Sequence, residues 1–145
     1  MREDWQGLPA DGRQSETALM IARGVRRLLR ARGFSSLTEL PLTDGRRADI
    51  AAVNRDGEFR ADRKWRDYAA CCDRLYFAIS ERTPAGLMPL EAGLIVADPY
   101  GAEIVREAEL QRMASASRRA LLLRFAQAAA DRLHRLADPS ATPEF

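Results

Sequence analysis

The stretch that decides the fold is Arg47-Ala48-Asp49-Ile50-Ala51-Ala52-Val53. It predicts a β-strand, because successive strand side chains point to opposite faces and the apolar residues here occupy both of them. Asp49 shares one face with Ala51 and Val53. A carboxylate on a strand that is apolar on both sides is unusual, since an isolated charge is costly to bury. Asp49 is therefore the first candidate functional residue.

Turn signals and further periodic segments surround this strand. Thr43–Arg46 precedes it and Asn54–Gly57 follows it, and both stretches have turn composition. Apolar spacing then predicts an α/β (α+β) fold, with a mixed central sheet flanked by helices. The predicted elements are a helix over 15–31, strands over 36–40 and 47–53, a helix from about Phe59, strands over 75–79 and 93–97, and a helix over 117–136.

Length and apolar runs predict one domain without a membrane anchor. The chain has 145 residues, which suits a single core. We expect a flexible N-terminal arm over 1–14, one domain over 15–136 and a flexible tail over 137–145. No apolar run is long enough to cross a bilayer, and residues 1–11 lack the apolar centre of a secretion signal. These features predict a cytoplasmic location and no membrane partner.

Composition excludes several classes of function. The net charge of +2 does not make the whole molecule a polycation. Lys64 is the single lysine among 23 basic residues, so the other 22 are arginines. His134 is the only histidine and falls in the last predicted helix, which argues against Ser-His and Cys-His hydrolases. The adjacent Cys71 and Cys72 form neither a zinc motif nor a disulfide framework.

Five motifs occur in a recognisable order. They are LTELPL at 37–42, GRRADI at 45–50, FRADRKW at 59–65, CDRLYFA at 72–78 and GLIVAD at 93–98. Together they resemble the MmcB family of bacterial DNA-repair proteins, from about Ser15 to beyond Val105.

The resemblance implies a fold like that of the PD-(D/E)XK endonucleases. In those enzymes an Asp on the second strand and a Glu-x-Lys on the third hold Mg²⁺ or Mn²⁺, and the lysine helps to activate water. Asp49 matches the first acid of that motif, and Glu39 on the preceding strand is the candidate accessory metal ligand. The implied function is metal-dependent nuclease chemistry in DNA repair.

The sequence departs from the family pattern after Gly57-Glu58. The pattern calls there for a hydrophobic strand that ends in Glu-x-Lys, whereas this chain continues directly with Phe59. We therefore predict that one core strand is missing and that catalysis is impaired. Asp62-Arg63-Lys64 fits (D/E)-x-K and would replace the motif if Asp62 lay opposite Asp49. The alternative is that Asp62 and Lys64 simply open a helix.

Basic residues around these acids predict DNA binding. The resulting phosphate-binding rim consists of Arg46, Arg47, Arg60, Arg63, Lys64 and Arg66. Lys64 and Tyr68 lie four residues apart and resemble the Gln-x-x-x-Tyr pair of some nucleases, with Lys in place of Gln; a basic helix face packed by Trp65 and Tyr68 is the simpler explanation. Two other interpretations stay open: a non-enzymatic module that binds other DNA-repair proteins, and a shortened gene model of an active nuclease.

Overall fold

Six strands form one mixed sheet whose spatial order is the order of the chain. A computed structural model describes residues 16–42, 45–62, 72–84, 86, 88 and 92–140. The predicted arm over 1–14, most of the tail, and Arg63, Lys64, Arg66 and Tyr68 lie outside these residues. The elements are α1 (Glu16–Ala31), β1 (Ser35–Pro41), β2 (Arg47–Val53), β3 (Phe59–Asp62), β4 (Arg74–Ser80), β5 (Gly93–Ala97), β6 (Ala102–Arg106) and α2 (Ser115–Ala137).

The predicted α+β architecture is confirmed. Strands β1, β2 and β3 pair antiparallel, β3, β4 and β5 pair parallel, and β6 returns antiparallel to β5. Helix α1 packs Val25 and Leu29 against one face of the sheet. Helix α2 packs Leu121 and Phe125 against the other face. The sheet therefore has two separate apolar layers, each covered by one helix.

The prediction of a helix starting at Phe59 is wrong for Phe59–Asp62, which form strand β3. This strand pairs with β2 on one side and with β4 on the other, so it fills the interior position that we predicted to be empty. Phe59 and Ala61 are buried in the layer below α2. Ladder pairing on both sides and burial on one face outweigh the polar, helix-like local composition.

Asp73 joins α2 to the middle of the sheet. Its Oδ2 accepts hydrogen bonds from the Phe59 amide and from Arg118 Nη1, both at 2.7 Å. Its Oδ1 accepts from Arg118 Nη2 at 2.7 Å and from the Met113 amide at 2.9 Å. Burial by itself would raise the pKa of Asp73, but these hydrogen bonds and the Arg118 charge outweigh it and lower the pKa. The carboxylate is thus a charged, fully bonded anchor within the fold.

Anchors on α2 determine which face of that helix is buried. Arg118 bonds Asp73, and Arg132 donates to the Glu39 carbonyl at 3.2 Å. Arg118 and Arg132 are four turns apart on one side, which is the side that buries Leu121 and Phe125. The helical spacing predicts burial of Leu122, Phe125, Ala126, Ala129, Leu133 and Leu136. Phe125 is buried as predicted, but the prediction is wrong for Leu122, Leu133 and Leu136, which are 49%, 67% and 79% exposed.

Neither described helix is long and apolar enough to cross a membrane.

Candidate nucleic-acid interface

Asp49 and Glu39 lie beside each other on the first two strands. The register pairs Thr38 with Ile50 and Leu40 with Ala48, so Glu39 lies across from Asp49. Glu39 has a φ of 50°, a left-handed conformation that is uncommon for a residue with a side chain. The structure therefore brings together the two acids that the sequence assigned to a metal. Binding of Mg²⁺ or Mn²⁺ there stays a prediction.

Asp62 lies on the other side of the sheet from Asp49. The replacement motif required Asp62 to lie opposite Asp49, but the observed register pairs Asp62 with Ile50, one residue further along. Ile50 packs in the layer below α1, together with Val25 and Leu29. Asp62 borders a small cavity of about 10 Å³ in that same layer and accepts a hydrogen bond from the Ala78 amide. Because faces alternate along a strand, Asp49 and Asp62 point to opposite sides.

This register does not fit the replacement motif. Asp62 and Asp49 cannot converge on one ion across the sheet. Within the described part of the chain, no three His, Cys, Asp or Glu side chains are grouped so that they could hold a metal. Lys64, the third residue of the motif, lies outside that part. We therefore derive no metal-dependent step from Asp62.

Arg60 is enclosed in the protein and not exposed on a rim. Its side chain is 14% exposed, and its Nε lies 2.8 Å from Glu58 Oε2. The guanidinium stacks over the ring of Phe34 at 4.6 Å and over the ring of Tyr76 at 5.6 Å. Arg74 also approaches Glu58, at 3.7 Å. Arg60 consequently anchors the α1 side of the sheet, and of the predicted rim the structure leaves Arg47 exposed and Arg46 half-buried.

Tyr76 is the last member of this buried cluster around Arg60. Its hydroxyl hydrogen-bonds the Glu107 carboxylate. Burial and then this hydrogen bond raise the pKa of Tyr76 to about 12. The phenol is therefore a neutral structural donor at ordinary pH, unsuited to act as a general base.

A different set of arginines lines an open cavity of the described surface. The cavity has a volume of about 980 Å³ and lies between α1 and β1. We call it the arginine groove, after the residues that line it: Arg23, Arg26, Arg27, Arg30 and Arg55. Helix α1 carries these first four arginines and one glutamate, Glu16, so its side chains sum to +3 (four minus one).

Local contacts hold the groove in shape. Arg26 donates from Nε to Ser36 Oγ at 3.1 Å and from Nη2 to the Ser36 carbonyl at 3.3 Å, which ties α1 to β1. Arg27 donates to the Tyr100 carbonyl at 3.3 Å on the other flank of the helix. Arg23 and Arg30 lie between these flanks and are exposed. All four arginines are exposed, and two of them, Arg26 and Arg27, are also held by hydrogen bonds to neighbouring elements, which suits an anionic ligand.

The sequence contains a signal for this site that our prediction did not use. Arg23, Arg26, Arg27 and Arg30 follow the spacing i, i+3, i+4 and i+7, which places them along one helix face. The contribution of Arg55 could not be anticipated, because the β2–β3 turn reaches the groove only in the folded sheet.

Comparisons with known proteins agree with this architecture. The sequence model of a family described as "DNA repair protein MmcB-like" matches residues 6–140. A solved structure of the SPO1766 protein of unknown function from Silicibacter pomeroyi is similar, with a TM-score of 0.84 and 39% sequence identity. That similarity covers 90% of this chain and 98% of the other. No curated protein matches the chain significantly.

Proposed function

The chain belongs to the MmcB-like family of DNA-repair proteins, and from that premise we propose that it binds DNA through the arginine groove. The observation that carries the proposal is the convergence of five arginines on one open cavity. Guanidinium groups pair with phosphate oxygens in a bidentate manner and remain charged at every physiological pH. The groove therefore has the chemistry of a phosphate-binding surface.

The dimensions of α1 fit a short run of phosphates. From Arg23 to Arg30 the helix rises by about 10 Å, at 1.5 Å per residue. That length corresponds to about three nucleotides at 3.4 Å per step along one strand. Contacts of this kind carry no base readout, so we expect binding that does not depend on sequence.

We further propose that the protein acts in repair by binding DNA, without metal-dependent cleavage of its own. The register separates Asp49 from Asp62, the acid that the sequence offered in place of the second carboxylate of the nuclease motif. Glu58, the remaining acid near β3, is engaged with Arg60 and Arg74. Asp49 and Glu39 are adjacent acids on β2 and β1, and Lys64, the lysine of the motif, lies outside the described residues.

A matched pair of triple variants tests DNA binding. Arg23, Arg27 and Arg30 are changed to Gln in one variant, and Arg119, Arg124 and Arg135 of α2 are changed to Gln in the control. Both variants lose three charges from exposed positions. Fluorescence anisotropy with a labelled 20-base-pair duplex is measured between 50 and 200 mM NaCl.

Only the groove variant should bind more weakly than the unchanged protein. Each lost phosphate contact lowers the slope of log affinity against log salt by about 1, so we expect a decrease of about 2 to 3. Equal behaviour of the two triple variants would refute the groove as the binding surface. Absence of binding at 50 mM salt would refute DNA binding altogether.

The exposed leucines of α2 favour a second candidate, in which the protein binds another repair protein. Leu122, Leu133 and Leu136 leave apolar area on the sheet face opposite α1. Changing Leu133 and Leu136 to Gln should leave the duplex affinity unchanged, because the two surfaces are separated by the sheet. A loss of duplex affinity equal to that of the groove variant would show that the surfaces are not independent.

A further inference from the structure

We propose that Tyr100 is a base-stacking platform beside the arginine groove, and that the protein therefore prefers single-stranded DNA over duplex DNA. This inference rests on the proposed phosphate binding and adds the class of ligand to it. Tyr100 is 80% exposed, the highest exposure among the large apolar and aromatic side chains of the described residues. Because most of its surface is in solvent, the ring contributes little to core packing and is available to contact a ligand.

A rigid turn presents Tyr100 to solvent. The Asp98 carboxylate accepts hydrogen bonds from the amides of Tyr100 at 2.8 Å and of Gly101 at 2.9 Å. The Asp98 amide donates to the Gly101 carbonyl at 2.9 Å and closes the turn between β5 and β6. Because three hydrogen bonds fix four residues, the backbone that carries the ring loses little further entropy when a ligand binds.

The same turn packs directly against α1 at Gly24. A Cβ atom added at Gly24 would lie 2.0 Å from the Asp98 carbonyl oxygen and 2.5 Å from that of Gly101, so glycine permits the close approach. One turn of helix further on, Arg27 donates to the Tyr100 carbonyl. The backbone that carries the ring is thus held against Arg27 of α1.

The arginine-bearing face of α1 lies between strand β1 and the β5–β6 turn. Arg26 faces β1 through Ser36, and Gly24 faces the β5–β6 turn. Arg23 and Arg27 lie on the exposed surface between them, and Arg27 contacts the backbone carbonyl of Tyr100. A nucleic-acid strand whose phosphates lie on these arginines can direct a base toward the tyrosine ring.

This arrangement discriminates between the two forms of DNA. In a duplex the flat faces of the bases are covered by their stacked neighbours, so an aromatic side chain at the backbone gains nothing. In a single strand each base has an open π face, and basic grooves with aromatic rings are the usual means of binding such strands. One stacked base contributes about a tenfold gain in affinity, within a wide range.

The experiment uses the full chain with Tyr100→Ala, Tyr100→Phe and the distant control Leu136→Ala. The probes are fluorescein-labelled dT20 and a 20-base-pair duplex, measured by anisotropy at one salt concentration. We expect the unchanged protein to bind dT20 more tightly. Tyr100→Ala should weaken dT20 binding about tenfold and leave duplex binding unchanged, whereas Tyr100→Phe and Leu136→Ala should retain the affinity for dT20.

The possible failures are distinguishable. Binding of both probes with no effect of Tyr100→Ala on dT20 would overturn the stacking platform and leave phosphate binding in the groove intact. An equal loss for dT20 and duplex would overturn the preference for single strands. No binding of either probe at low salt would overturn the proposed function as well. Because Tyr100 is exposed, circular dichroism of Tyr100→Ala should match that of the unchanged protein.

Discussion

Removing the Asp73 carboxylate should destabilise this protein more than any surface substitution. Asp73 is 2% exposed and accepts two bonds from Arg118 and one each from the amides of Phe59 and Met113. In Asp73→Ala the guanidinium and both amides lose their acceptor at once. Removing one partner of a buried ion pair costs about 3–5 kcal/mol.

The solvent exposure of Arg118 determines where in that range the loss of unfolding free energy should fall. The Arg118 side chain is 30% exposed and can recover some hydration, whereas the Phe59 amide is buried with its strand. Each buried donor left without an acceptor costs about 1–3 kcal/mol. We expect a total near 4 kcal/mol, out of about 5–15 kcal/mol for a domain of this kind. At about 2–4 °C per kcal/mol, the Tm should fall by about 8–16 °C.

Urea unfolding followed by circular dichroism measures this loss, with Asp56→Ala as the control. Asp56 is an exposed turn residue, and its removal should change the free energy of unfolding by less than about 0.5 kcal/mol. A double-mutant cycle with Arg118→Ala isolates the pair, and its coupling energy should exceed 1 kcal/mol. A Tm for Asp73→Ala within 2 °C of the unchanged protein would refute the reasoning.

Acid provides an independent check on the same carboxylate. The folded protein lowers the pKa of Asp73 below its ordinary value of 3.8. The stabilisation is therefore fully present above the unfolded pKa and is lost as the pH falls through the folded pKa. The stability difference between the unchanged protein and Asp73→Asn should accordingly be constant from pH 5 to 7 and shrink below about pH 4. A difference that stays constant down to pH 2 would contradict the assignment.

Three further predictions concern the sheet and the acids. Gly24→Ala should destabilise the fold by about 1–3 kcal/mol, because the added Cβ would lie 2.0 Å from the Asp98 carbonyl oxygen. Gly101→Ala is the control and should be close to neutral, since there is open space around its Cβ; thermal melts of the two variants test this. In an alkaline absorbance titration one tyrosine should ionise near pH 12, and Tyr76→Phe should abolish that component; an unchanged titration curve would argue against the buried phenol. With Mg²⁺ or Mn²⁺ and supercoiled DNA, purified protein should nick no more than its Asp49→Ala variant, and nicking that depends on Asp49 would show that a nuclease site exists after all.

The apolar pattern along the chain correctly predicted the elements that bury one face or both faces. Helix α1 and strands β2, β4 and β5 have the expected positions, because continuous apolar runs or a clear helical stripe leave one way to bury them. Strand β3 was missed, because two of its four residues, Arg60 and Asp62, are polar. Besides the local contact between Arg60 and Glu58, both residues depend on partners distant in sequence or on neighbouring strands, such as Phe34 and Ala78.

Some residues of the candidate site could likewise be predicted from the sequence, and others could not. Asp49 and Glu39 could be placed together from sequence, since they lie on consecutive antiparallel strands joined by a short turn. A turn centred between Arg55 and Asp56 would have put Asp62 opposite Asp49. The observed register differs from that by one residue, which moves Asp62 to the other face. The groove needed α1, β1 and the β2–β3 turn to meet, which no local pattern specifies.

The sequence by itself determined that this is an α+β domain of a DNA-repair family, with an acid on its second strand and arginines along its first helix. Periodicity and motif order are local properties and can be read along the chain. Tertiary structure alone decided that Phe59–Asp62 closes the sheet and that Asp62 faces away from Asp49. It also decided that Tyr100 stands beside the arginines of α1. Strand pairing and helix seating depend on contacts between residues distant in sequence, and a one-residue change in register reverses every side chain.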